Sequence, residues 1–389
     1  MEIRLKKIII FFIITIFSSF VKAQKLQVNG FFSQMSQTIV DTIKGNWLTD
    51  QILQNRLKIQ YSPFTSMRIE AQARTRLIYG NTIQMSPNID LYEKDKGFLD
   101  LNFALLKSKS AILNTNIDRL YFQYELSKFK ITLGRQRVNW GMTFVWNTND
   151  WFNTYSFVDF DYAERPGSDA INLQFFPTAL SSADFVTKID STKNITTAIR
   201  YKFNLKNYDI QFLAGIIENE DIAAGMGWSG SIWQLTFRAE ATYLHSKSNF
   251  AHTTGKLITS IGFDYMFKNS FTIFAEFLFN QYVDDKNTQN IFQLQNSPAN
   301  LKTISVARYN SVFNMSYPIN PIFNASLSYM YMSYNDFMMI SPNLSASIND
   351  YIDFSIVTQH FLGKILNPIT LKNEQKLINI FYLRLKFEF

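Results

Sequence analysis

The chain has 389 residues, 37 of them Phe and 19 Tyr, with no cysteine and a formal charge of +7. The absence of cysteine excludes a disulfide scaffold and a thiolate metal site, and the mild basic excess is too small to point to nucleic acid. The aromatic load exceeds what a soluble core of this length needs to bury, whereas a transmembrane β-barrel sets such side chains against lipid and in girdles at both interfaces.

At the N-terminus, Arg4, Lys6 and Lys7 precede an uncharged stretch from Ile8 to Phe20 and a small-residue exit at Val21-Lys22-Ala23. This is the pattern of a cleaved signal peptide over residues 1–23, and its apolar stretch falls short of the roughly 20 residues a spanning helix needs. Cleavage removes four basic residues and one acid, a net +3, so +7 becomes +4. No Pro/Gly-rich linker interrupts residues 24–389, which read as one barrel domain addressed to the outer membrane of a Gram-negative cell. The first strand starts almost at Gln24, leaving no room for an N-terminal plug.

Segments of alternating polarity bounded by turn chemistry predict strands near 25–34, 51–61, 66–79, 115–126, 128–139, 168–176, 182–189, 194–204 and 208–217. Nine more follow near 221–229, 231–244, 256–267, 270–280, 302–315, 321–332, 335–346, 350–361 and 376–389. Eighteen is even, as single-chain bacterial barrels require, and sixteen is the nearest alternative. The short connections, such as 62–65, Ser127 and 205–207, fall at even positions, and the long ones, 35–50, 80–114, 140–167, 281–301 and 362–375, at odd positions. That segregation predicts an all-β, antiparallel, up-and-down barrel with short periplasmic turns and long outer loops.

Side chains alternate faces along a strand, so the polar parity of each segment marks the lumen. It carries Arg56 and Lys58, then Arg68, Arg74 and Arg76, then Arg119, Lys130, Arg200 and Lys202. An Arg or Lys turned to lipid at the midplane costs about 2–4 kcal/mol, which favours the inward assignment. Rings of such cations in a pore favour anions, although pairing with Glu70, Glu125 and loop acids is an equally good reading of the same residues.

Clean alternation breaks at Gly134, beyond which Arg135 and Arg137 would continue the lipid parity; either a bulge at Gly134, the preferred reading, returns them to the lumen, or the strand has already left the hydrocarbon zone and the arginines meet headgroups. The following stretch holds Trp140, Trp146, Asp150, Trp151, Asp159, Asp161 and Glu164, with a short helix expected to begin near Asn149-Asp150. An acidic, aromatic loop behind a basic wall can fold inward as a constriction or pack outside on its neighbours, and the sequence leaves both open. Gly134, Arg135 and Gln136 leading into Trp140-Gly141 and an aromatic loop resemble the porin-like outer-membrane channels of Gram-negative bacteria, including the alginate-export type. The resemblance implies passive diffusion of small polar or anionic solutes along an arginine-lined path, with no cofactor.

Later strands have a more neutral lumenal parity, with Gln234, Thr236, Arg238, Glu240 and Thr242 in one and Asn324, Ser326 and Ser328 in another. His245-Ser246 near the outer rim raises a barrel-embedded lipid hydrolase, but neighbours on a strand face opposite ways, a poor arrangement for Ser–His activation. No metal-ligand motif is present, and enzymatic activity is not expected. A structural, assembly or adhesive barrel with a blocked lumen is the other class, its long outer loops forming the contact surface. The last strand puts Phe381, Leu383, Leu385, Phe387 and Phe389 on one face and Tyr382, Arg384, Lys386 and Glu388 on the other. It suits outer-membrane lipid outside and water inside, and its terminal Phe389 suits handover to the barrel-assembly machinery.

Overall fold

The computed structural model describes residues 25–41, 45–85, 95–153, 167–248, 250–283, 300–366 and 373–389. The expected signal peptide, and Asp159, Asp161 and Glu164, lie outside them. The strands are β1 (Leu26–Asp41), β2 (Asn46–Phe64), β3 (Met67–Gly80), β4 (Asn102–Lys107), β5 (Ala111–Leu126), β6 (Phe129–Gln136), β7 (Ser168–Thr178), β8 (Ser181–Ile189), β9 (Ile195–Leu205) and β10 (Tyr208–Ile217). The remainder are β11 (Asp221–Ile232), β12 (Leu235–Ser246), β13 (Lys256–Met266), β14 (Thr272–Asn280), β15 (Tyr309–Pro318), β16 (Phe323–Met332), β17 (Phe337–Asn349), β18 (Ile352–Leu366) and β19 (Asn373–Glu388). Antiparallel pairing runs all the way round and closes where β1 meets β19, from Phe31↔Glu388 to Asp41↔Ile378. Eighteen strands span the wall, and β4 is a short addition to it.

The two faces separate as the alternation predicts. Phe212, Met226, Trp228, Phe277, Leu383 and Phe387 are exposed on the outer parity, while Gln211, Glu240, Thr242, Ser260 and Glu276 are buried on the inner one. No helix among the described residues is long and apolar enough to cross a membrane, and the strands supply the lipid-facing surface instead. Tight turns join the strands at the short-loop end; Lys206 and Asn207 both take positive φ, the conformation of a two-residue hairpin turn.

Several strand boundaries differ from expectation. β1 and β2 stay in register up to Asp41↔Asn46, so the expected loop over 35–50 is mostly strand. In this upper part Met35 is buried inward with Val357 and Tyr382, and the outer parity turns polar, with Ser36 hydrogen-bonded to Gln51 at 2.7 Å. At about 2.5 Å of height per tilted residue, a 16-residue strand outruns an apolar belt of about 25 Å, so its far end meets water outside. On β6 the ladder ends at Gln136 rather than near 139, and it passes Gly134 with no register shift on either edge; the expected bulge is absent, although Gly134 takes φ +111°. A bulge lies instead in β5, where Gln72 pairs with Arg119 and Ala73 with Ile117, leaving Asp118 extra. The strand expected over 302–315 begins at Tyr309, and Asn149 to Asn153 are not helical.

Because β6 stops early, the upper edge of β5 needs another neighbour. β4 takes that place, pairing from Asn102↔Asn116 to Lys107↔Ile112, and the residues before it reach the top of β8 through Gly97↔Asp190. The loop expected over 80–114 therefore becomes a five-residue helix, Asn81–Met85, and a patch of wall, within the described part.

Candidate functional site

On the lumenal face of β2, β3 and β5, Arg56, Lys58 and Arg119 share one network. Arg56 and Arg74 sit opposite each other, each only 7% exposed. Arg56 pairs with Asp118 at 2.9 Å and donates to Gln72 at 2.8 Å; Gln72 donates to Glu70 at 2.6 Å, which lies 3.7 Å from Lys58. The β5 bulge turns both Asp118 and Arg119 inward, and Arg119 donates to the Asp118 carbonyl at 2.8 Å. Arg68 is exposed and Arg76 half-buried on the same parity of β3. Sequence reasoning did not single out Asp118, because a regular strand would have turned it away from Arg119.

Elsewhere the same residue types are paired one strand over. Arg200 meets Asp184, Lys202 meets Asp209 at 2.9 Å, and Lys130 lies over the Phe176 ring. Arg135 is 4% exposed and lies within the wall, where β6 gives way to β4. Its guanidinium donates to Asp169 at 2.8 and 3.0 Å, to Asp95 at 2.6 Å, and to the carbonyls of Leu99 and Ile117. Arg137, two residues on, is exposed.

From Arg137 to Asn153 the chain leaves the wall and folds into the barrel, against β7 to β14. Glu240 on β12 accepts the main-chain N–H groups of Met142, Thr143 (2.8 Å) and Asn149 (2.9 Å). Glu276 on β14 accepts those of Phe144, Val145 and Trp146, at 2.7–3.2 Å, and the Ser260 hydroxyl. Thr242 receives the Trp151 indole N–H and donates to the Thr148 carbonyl; Gln211 donates to the Trp140 carbonyl, and Lys188 to that of Phe152. Trp140 packs edge-on to Phe152 and beneath the Arg200 guanidinium. Trp140, Trp146, Asp150 and Trp151 are therefore buried against the wall, while Arg137, Asn139 and Phe144 are the exposed residues of the segment. Phe144 also carries the Arg238 guanidinium 4.1 Å above its ring.

Small residues make this close fit possible. A side chain at Gly225 would come 2.9 Å from both Asn149 and Trp151, and one at Gly227 would come 3.0 Å from the Met142 sulfur. Glu240, Glu276 and these glycines were not picked out from sequence as a docking surface; the available signal was small residues at Gly225, Gly227, Ser260 and Gly262 on the same parity as two acids.

A second inward segment joins it. Leu301, Ile304, Val306 and Ala307 are buried in the same apolar cluster as Trp146 and Phe152. Lys302 binds Asp221 at 2.6 Å; burial lowers the affinity of its ammonium for the proton, but the hydrogen bond to Asp221 and the negative charges of Asp221 and Glu220 together outweigh it and hold the pKa above the ordinary value. At the rim, the His245 ring contacts the Ser246 carbonyl, and the Ser246 hydroxyl lies against Ser248. No group of three potential metal ligands occurs among the described residues.

No protein-family model matches the chain, and no curated protein does. Solved structures do. OccAB1 of Acinetobacter baumannii superposes with a TM-score of 0.59 at 8% identity, over 95% of this chain and 97% of that one. OprD of Pseudomonas aeruginosa gives 0.58 at 10% identity, over 94% and 95%, and the outer membrane protein OpdK of the same organism 0.56 at 7%, over 93% and 98%. At such identities the likeness establishes the fold: this chain shares the closed 18-strand barrel of those proteins.

Proposed function

We propose that this protein is an outer-membrane channel for passive diffusion of small polar solutes, with anionic solutes preferred. The observation that carries this reading is the unequal lumen: the inserted segments make their contacts with β7 to β17, while the wall of β2, β3 and β5 keeps Arg56, Lys58, Arg68, Arg74, Arg76 and Arg119 on its inner face. A cationic wall opposite a fixed insertion would raise the local concentration of anions and filter them by size. The membrane-facing partner is lipid, and export would follow removal of residues 1–23.

Purified protein in planar bilayers is expected to give discrete conductance steps with a modest anion preference that weakens as salt rises. Replacing Arg74 and Arg76 together by Gln is expected to shift the reversal potential toward the cation side. An unchanged reversal potential would remove both residues from the path. The apolar cluster beneath the two inserted segments also suits a barrel with a blocked lumen. Well-folded protein that never conducts would select that reading.

A further inference from the structure

We propose that Glu240 and Glu276 are the positioning residues of this channel: their carboxylates hold residues 142–149 on the wall and thereby set the free bore. The inference rests on the channel reading for its consequence, but the docking itself can be tested without it.

Residues 142–149 belong to no strand, so their N–H groups have no ladder to satisfy them, and a buried N–H needs an acceptor. Six of these groups point at two side chains. Met142, Thr143 and Asn149 are served by Glu240, and Phe144, Val145 and Trp146 by Glu276. Both carboxylates are at most 2% exposed. An ionised carboxylate offers two oxygens and no donor, and its bonds to N–H groups are charge-assisted. Glutamine has the same shape but keeps only one carbonyl oxygen and brings an NH₂ group that faces other donors, so a Glu→Gln change at either site replaces one of the two acceptor oxygens with a donor while leaving the volume. The surrounding wall is matched to this docking by the space at Gly225 and Gly227 and by the Ser260 hydroxyl on Glu276.

The chain has no cysteine, so a single reporter is clean. Thr148, fully buried between segment and wall, is replaced by Cys, and its reaction with a water-soluble maleimide is timed in detergent-folded protein and in proteoliposomes. The E240Q/E276Q pair is expected to speed labelling by about tenfold, since local opening exposes the site without unfolding the barrel, and each single variant by a smaller factor. In bilayers the double variant should show about twofold higher and noisier conductance.

Labelling of T148C that stays at the unsubstituted rate in a folded E240Q/E276Q barrel would overturn the proposal, whatever the conductance. If the double variant does not fold, the same criterion applies to the single variants. Faster labelling in a protein that never conducts would uphold the docking role and discard the channel reading instead.

Discussion

Arg135 shows a charge serving the wall. Two acids and two main-chain carbonyls converge on its guanidinium at the point where β6 ends and β4 takes over, so it ties the 95–99 segment to β5 and β7. Replacing it by Ala leaves Asp95 and Asp169 buried without a counter-charge, a loss of about 3–5 kcal/mol. Lys would not recover this, because a single ammonium cannot span the planar fork of donors. Thermal unfolding of folded barrel, followed by electrophoretic mobility, should show both variants melting well below the parent, and Arg137→Ala close to it. Residue-level reading from sequence worked where strands were regular: the parity of Arg56 and Arg74 follows from simple alternation. It missed Asp118, which an extra residue in β5 turns inward, and the docking role of Glu240 and Glu276, whose partners lie roughly a hundred residues earlier in the chain. Period-two patterning carries no information about contacts across the lumen.

Strand length divides the molecule into a tall side and a low one. β18, β19, β1, β2 and β3 run 14 to 19 residues, whereas β6 to β10 run 8 to 11. Short strands alternate cleanly over their whole length, so β8 to β10 were legible to within a residue or two. Of the tall strands, β1, β2, β18 and β19 were read short because their polarity reverses halfway: above the apolar belt, water lies outside and the inner face turns oily with Met35, Ile52 and Ile380. Thr38 and Thr49, facing outward and 3.4 Å apart, belong to this upper zone, while Phe32 faces lipid below it. A membrane-impermeant maleimide added outside intact proteoliposomes should therefore label Thr38→Cys readily and Phe32→Cys hardly at all. Equal labelling at the two positions would mean that the tall strands do not rise out of the bilayer.

At the scale of the whole barrel, the last strand does more than any other, because it carries the ladder that turns a sheet into a closed wall. Residues 381–388 pair on one side with Phe31 to Thr38 and on the other with β18 up to Thr358. Deleting residues 381–389 exposes both of those edges, and open edges cannot persist in a lipid core that offers no hydrogen-bonding partner. The truncated chain should give no compact form that resists SDS before heating. Phe389→Ala is a different case: the exchange between Gly30 and Phe389 uses main-chain atoms only, at 2.9 and 3.0 Å, and survives loss of the ring. Refolding of that variant into detergent should match the parent, as judged by the heat-sensitive mobility shift. If the terminal ring is what the assembly machinery grips, the same variant will nevertheless accumulate unassembled in cells. Parent-like assembly in cells would leave the exposed Phe389 ring as one more lipid contact of β19.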